Sequence, residues 1–552
     1  MKDAEPNGTR SVMGWASACA SPAGLVALVI LLPLLGKAFT IDDVTFLLQA
    51  RHVLTDPLHP TAFDMVFHGV PVRLSHEMVT GPVMAYLLVP AVLLGGAEWA
   101  AHAVQIALLL VGTVATAALA IRLGLNRAQA ALASMLIVAS PAVLGMSATA
   151  MPDVPAMAFA AAGMERLAAW RHNRQWAAGA SAALLLALAA LSRPHVLLVL
   201  PCAAVWLGGD DSARRRPLQW ASALASRSLI PLAGALALAA IVVYATRDPA
   251  SGVTITAATV GRVGLQTVAF NLASFPLQWM VAFPLGLLWI PLAGGRFLRS
   301  HRTPVSFNLG IVLAWIGGHF GAWTDLPVVI LVGVGTAVLA DIIGDAWERR
   351  DRVQLMLGFW LLISAAAAGY VHLPPKLLVP SAPAMAILIA RLAGGRLRDR
   401  MPLRWIGAVV TAGLIIGLLV IRADAVLAEI GRTGGQVVAE EVKKGERVWM
   451  DGAWGFQWYA MKAGARPLAE IAPFPAPGDV VVAGLQARLL REKYPDKTLL
   501  SQRLFDGAGG RVHGEGAGFF TNWAGPWPWV WGHGEIGRIE AWRIDPPAAA
   551  AP

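Results

Sequence analysis

Two carboxylates stand side by side in Ile41-Asp42-Asp43, directly after an apolar run, and a third lies in Met151-Pro152-Asp153-Val154-Pro155, between two more. Adjacent acids beside a membrane are costly unless they are solvated, paired with cations or put to use. The chemistry open to them is that of a general base or a metal-binding group. The plainer roles are a solvated loop cap for the pair and a helix N-cap for Asp153, since Asp caps helices well. Neighbouring residues on a helix point in different directions. Asp42 and Asp43 are therefore expected to act as one pocket carboxylate and one support, not as a symmetric dyad.

Cations complete the set. Arg193 interrupts an apolar run in Ser192-Arg193-Pro194-His195, and Lys376 follows two prolines in His372-Leu373-Pro374-Pro375-Lys376. Each either snorkels its charge to water or clamps the phosphate of an anionic lipid headgroup. Histidines 52, 59, 68 and 76 crowd one loop at spacings that match no standard zinc pattern. A divalent metal cofactor is left open. Gly507-Ala508-Gly509-Gly510 lacks a following Lys-Ser/Thr, so no nucleotide site is assigned. Trp523, Trp527, Trp529 and Trp531 could stack on sugars, but a core or membrane-facing edge is the favoured reading.

The elements that must position these groups are apolar. Of 552 residues, 57% are hydrophobic and 14% charged, against about a quarter charged in soluble proteins. Fourteen apolar segments lie between residues 18 and 421. Helices are the expected spans, because the segments are long and do not alternate. Five loops carry sixteen Arg residues, among them Arg171, Arg214, Arg296, Arg349 and Arg396. The intervening turns carry only Arg193, Arg247, Arg262 and Lys376. Positive-inside bias then puts the N-terminus in the cytoplasm and residues 422–552 outside. Parity holds only if residues 81–95, which include Pro82 and Pro90, are juxtamembrane or re-entrant. The fold class expected is a polytopic α-helical membrane protein of about thirteen transmembrane helices, with an exterior loop at 38–80 and a C-terminal soluble α/β domain. The first helix is expected to be retained, with Lys2 and Arg10 inside. The net charge of +10 reads as topogenic, and its scattered Arg clusters argue against nucleic acid as a partner. Cys19 and Cys202 are the two cysteines, so the tail has no disulfide framework.

At this point the chain resembles the membrane glycosyltransferases that use polyprenyl-phosphate sugars, such as protein O-mannosyltransferases and the lipid A aminoarabinose transferase. Ile41-Asp42-Asp43 matches that superfamily's acidic first loop, and Met151-Pro152-Asp153 its later Asp. Arg193-Pro194 takes the place of a cation after a hairpin. Pro375-Lys376-Leu377-Leu378-Val379-Pro380 matches a late segment led by a basic residue. One departure stands out: many members carry Lys-Pro-Pro where this chain has Val79-Thr80-Gly81-Pro82. The donor clamp then differs, or the donor does, and Arg73 and His76 are the nearby candidates for a donor-phosphate cation.

The resemblance covers roughly residues 18–421. It implies an inverting transfer of a sugar from a polyprenyl-phosphate donor to a hydroxyl of a lipid, glycan or protein acceptor, at the outer face of a plasma (inner) membrane. Asp43 would be the base, with Asp42 or Asp153 orienting the acceptor. Arg193 and Lys376 would bind the donor phosphate. The rival class is a transporter or lipid flippase, which calls for ionisable or unwound sites near the membrane midplane. The acids here lie at the outer edge, which favours an enzyme.

Overall fold

Five helices are long and apolar enough to cross a membrane: Glu98–Arg122, Leu326–Glu348, Arg352–Gly369, Pro375–Ala393 and Pro402–Lys443. There are six if Leu265–Val281 and Leu285–Ala293, bent by 70°, form one broken span. The computed structural model describes residues 21–77, 80–207, 229–250, 263–319, 326–394, 400–507 and 509–546. Lys2, Arg10, Cys19, Val79, Arg214–Arg216, Arg227, Arg262, Arg396, Arg398, Ala508 and the end from 547 lie outside these. The chain is a multi-pass membrane protein with a large extramembranous part.

The expectation of about thirteen transmembrane helices is therefore corrected to five or six among the described residues. The run at 129–147 breaks at Ser140-Pro141 into Arg127–Val138 and Pro141–Met146. The run at 194–208 opens as a 3-10 turn, Pro194–Leu198, before Val199–Leu207. Val83–Leu93 has 11 residues, about 16 Å at 1.5 Å per residue, roughly half of a ~30 Å hydrocarbon layer. A helix that is apolar all round is either a span or the interior of a helical pack, and several of these runs are interior. Asp153–Asn173 is the clearest case. It is Ala-rich, buried along most of its length and packed between Glu98–Arg122 and Trp176–Ser192.

The final membrane helix does not stop at the bilayer. Arg400–Lys443 is continuous over 44 residues, about 66 Å, and passes straight through the 421/422 boundary. Two glycines allow its close approaches. A Cβ on Gly413 would sit 2.1 Å from the Ala139 carbonyl oxygen, and one on Gly434 would sit 2.4 Å from the Phe456 ring. Beyond the helix lies a five-stranded mixed sheet in the order Arg466–Pro467, Val448–Asp451, Val480–Ala483, Glu535–Ile544, Lys497–Asp506. The first three strands run parallel, and the last two pair antiparallel to their neighbours. The small helices Gly455–Lys462 and Leu489–Lys493 accompany it, giving the mixed α/β tail expected.

The loop that follows the first helix is folded over its described residues. It contains the helix Asp43–Val53, the hairpin Asp64–Phe67/Val70–Arg73 and the short helix Leu74–Glu77. The hairpin turns at His68-Gly69, both at positive φ (50° and 82°), as a two-residue turn of matching twist requires. It is tied to the tail. Gln457 Nε2 donates to the Val66 carbonyl at 2.9 Å, and the Glu470 amide donates to the Gly69 carbonyl at 2.9 Å. The Gly95 carbonyl accepts from Lys462 Nζ at 2.8 Å, so the turn after Val83–Leu93 also meets the tail. Loop, turn and tail gather at one end of the helical pack.

Candidate active site

That end brings the sequence-selected acids and cations together. Asp42 sits at the N-cap of Asp43–Val53, and Lys376 in the 3-10 turn Pro375–Ser381. Lys376 Nζ donates to Asp42 Oδ2 at 2.8 Å. Lys376 is nearly closed from solvent at 4% side-chain exposure, whereas Asp42 keeps 35%. Burial acts to raise the Asp42 pKa. The Lys376 ammonium and its hydrogen bond, with His372 and Arg193, more than offset that, so the carboxyl titrates below its ordinary value. Lys376 Nζ also lies 5.9 Å from the centre of the Phe520 ring of the tail.

Asp153 opens the helix Asp153–Asn173 and is fully buried. Arg193 clasps it with a fork, Nε to Oδ1 at 2.9 Å and a terminal nitrogen to Oδ2 at 2.7 Å. Two parallel donors on one carboxylate fix both position and plane. The two pairs are tied together by their neighbours: His195 Nε2, just after Arg193, lies 3.1 Å from the carbonyl oxygen of Leu377, next to Lys376, and Asp43 holds the Ala150 amide at 2.7 Å, just ahead of Asp153.

Asp43 takes a different place from its neighbour. It is wholly buried, with Oδ2 accepting from the Thr40 amide at 2.9 Å and Oδ1 from the Ala150 amide at 2.7 Å. It thereby staples the acidic loop to the segment leading into Asp153. Burial pushes its pKa up to about 7. A buried ion pair lies beside it, Lys37 Nζ to Asp424 Oδ2 at 2.6 Å, and Thr40 Oγ1 donates to Asp424 Oδ1 at 3.0 Å. Asp424 belongs to the long helix. Ile41, between Thr40 and Asp42, is held at φ 32°, costly for a β-branched residue. That kink sends the two acids to separate environments.

Arg73 and His76 are not part of this group. Arg73 Nε donates to Asp248 Oδ2 at 2.6 Å, with a second bond to Asp64 at 3.3 Å. His76 is exposed, and among the described residues no hydrogen bond joins it to the acids. The loop histidines scatter. His52 packs on Phe63, His59 pairs with Asp56, and His68 reaches Trp454 in the tail. Among the described residues, no group of three or more His, Cys, Asp or Glu side chains is placed to hold a metal. Of the tail tryptophans, Trp529 is buried against Trp531, and the exposed Trp523 meets His372 edge-on.

Several site residues had no sequence signal of their own. His372 packs against Tyr370 at 5.1 Å. Burial pushes its pKa down to about 3. Asn522, fully buried, accepts from the Leu373 amide at 2.9 Å and donates to Asn271 and Ser274 at 3.0 Å each. It pins the strip that carries His372 and Lys376. Asn271 grips the same strip through the Ala368 and Tyr370 carbonyls. His372 precedes Pro374-Pro375-Lys376 and is the one of these that proximity in sequence pointed to.

No protein-family model and no curated protein matches the chain. Its path is similar to that of the oligosaccharyltransferase of Archaeoglobus fulgidus tethered with an acceptor peptide, at 12% identity and TM-score 0.44, covering 84% of this chain and 64% of that one. It is similar to ArnT from Cupriavidus metallidurans bound to undecaprenyl phosphate, at 14% identity and TM-score 0.42, covering 91% and 96%. It is similar to the arabinofuranosyltransferase AftD from Mycobacteria, at 14% identity and TM-score 0.44, covering 97% and 40%.

Proposed function

We propose that the protein transfers a sugar from a polyprenyl-phosphate donor to an acceptor hydroxyl at the outer face of the membrane, with inversion at the anomeric carbon. The observation that carries this reading is the ion pair Asp42–Lys376, a partly open carboxylate beside a shielded cation, with the Arg193–Asp153 fork close by. The motif resemblance supports it. Asp42 takes the proton of the acceptor hydroxyl as that oxygen bonds to the anomeric carbon. The bond from that carbon to the phosphate oxygen breaks, and polyprenyl phosphate leaves with the electron pair. Lys376, with Arg193, stabilises the leaving anion, the kind of charge that preorganised cations hold best.

When Lys376 turns to the phosphate, Asp42 loses its main counter-charge and becomes a stronger base. Asp43 is then the support and Asp42 the base, because both Asp43 oxygens are taken by backbone amides. Asp153 keeps Arg193 in place. The positive-inside bias supports a cytoplasmic N-terminus and an extracytoplasmic tail.

The test incubates the purified protein with polyprenyl-phosphate sugars of several kinds and follows loss of the lipid-linked donor by mass spectrometry. Acceptor-dependent loss in wild type and none in Asp42→Asn is expected. Donor carried across sealed vesicles without being consumed would sink the reading in favour of a flippase.

A further inference from the structure

We propose that His68, Trp454 and His513 form the acceptor subsite, and that it takes a neutral hydroxyl-bearing acceptor, a sugar ring at the end of a glycan. This rests on the transferase reading above. The three residues come from segments far apart in sequence, the hairpin turn and two parts of the tail. The His68 ring meets the Trp454 indole edge-to-face at 6.0 Å, and His513 meets the same indole edge-to-face at 4.7 Å. Trp454 is held at φ 62°, a backbone that persists in a non-glycine residue only where its surroundings impose it.

The trio stands beside the acidic loop. A Cβ on Gly455, the residue after Trp454, would lie 2.2 Å from the Phe39 carbonyl oxygen and 3.7 Å from Thr40 Cα, just ahead of Asp42. His372 stands on the strip that carries Lys376, where the donor phosphate belongs. Burial lowers the pKa of His68 and His513. An acceptor must reach Asp42 from the side the donor does not occupy. His513, pushed down to about 4, is neutral at physiological pH. Its Nδ1 is buried, with no hydrogen-bond partner among the described residues. A buried polar atom left unpaired is costly and calls for a partner from outside the chain.

The chemistry of the trio selects the class. A neutral imidazole offers one donor and one acceptor, the complement of a hydroxyl. Indole adds apolar area and an N–H. None of the three supplies a positive charge, and Asp42 repels anions, so a phosphate or carboxylate is disfavoured here.

The test uses the full-length protein in detergent. Saturation-transfer NMR reads binding of methyl glycosides and, separately, of a Thr-containing hexapeptide, while a parallel assay reads binding of polyprenyl phosphate. Methyl glycosides should bind wild type, and about tenfold more weakly Trp454→Ala and His513→Ala, a loss of the size expected for one good contact. Polyprenyl phosphate binding should be unchanged in both variants. If Trp454→Ala fails to fold, Trp454→Phe together with His513→Ala takes its place. Glycoside binding unaffected by these changes, or binding of the peptide alone, overturns the proposal. Absence of polyprenyl phosphate binding in wild type would instead remove the transferase reading, whatever the glycosides do.

Discussion

Lys376 Nζ meets Asp42 Oδ2 at 2.8 Å across 334 positions of chain. The pair makes a first prediction. Asp42→Asn should lower turnover by ~10²–10⁴-fold, as loss of a general base commonly does, with donor binding kept. Lys376→Gln should weaken donor binding by roughly ten- to a hundredfold, in line with a charge-assisted contact to phosphate. Initial rates and donor Michaelis constants check both. Wild-type turnover in Asp42→Asn would rule out its role as base.

Asp43 should behave as a stability group with a pH signature. Its pKa is raised to about 7 by burial, so the folded state holds its proton more tightly than the unfolded state does. That contribution is fully present below about 3.8, where both states are protonated, and is lost as pH rises through about 7. The melting temperature should therefore fall as pH rises from about 4 to about 7 and level off above that, with the slope reduced in Asp43→Asn. Equal slopes in the two proteins would contradict this account.

Arg193 and Asp153 should be coupled. Arg193→Gln leaves a fully buried carboxylate without its cation, which typically costs about 3–5 kcal/mol. Asp153→Asn combined with Arg193→Gln should recover part of that loss. Arg193→Lys should fall between, since Lys cannot make the fork. A double-mutant cycle on thermal stability measures the coupling, and strict additivity would exclude it.

Asn522→Leu should loosen the strip that carries His372 and Lys376, because it strands the Leu373 amide and two partners. The donor Michaelis constant should rise more than kcat falls, and proteases should gain access to residues 368–376. Unchanged donor kinetics and an unchanged cleavage pattern would mean that the strip holds itself.

The candidate site was legible where residue type alone draws the eye. Acids and cations at the ends of apolar runs drew attention to Asp42, Asp153, Arg193 and Lys376. The tail's mixed α/β character was legible too, since Val480–Ala483 is an apolar, β-branched run and Arg538–Ala541 alternates charged with apolar residues. The different surroundings of Asp42 and Asp43 were not, because they depend on a backbone kink at Ile41 that no side-chain pattern signals. His513 and Trp454 were hidden because their partners come from the tail folding back over the loop. The number of spans was overread because an Ala-rich interior helix such as Asp153–Asn173 has the composition of a crossing one.

The unbroken helix Arg400–Lys443 sets the clocking of the whole assembly. Asp424, one part of it, holds Lys37 beneath the acidic loop, and Gly434, further along, seats Phe456 of the tail. Each residue added between those two points would turn everything beyond by about 100° and advance it by about 1.5 Å. Trp454 and His513 would swing away from Asp42 as though on a rotated dial. The spacer between membrane and tail is thus quantised, and only changes near whole numbers of turns keep both halves of the site in phase.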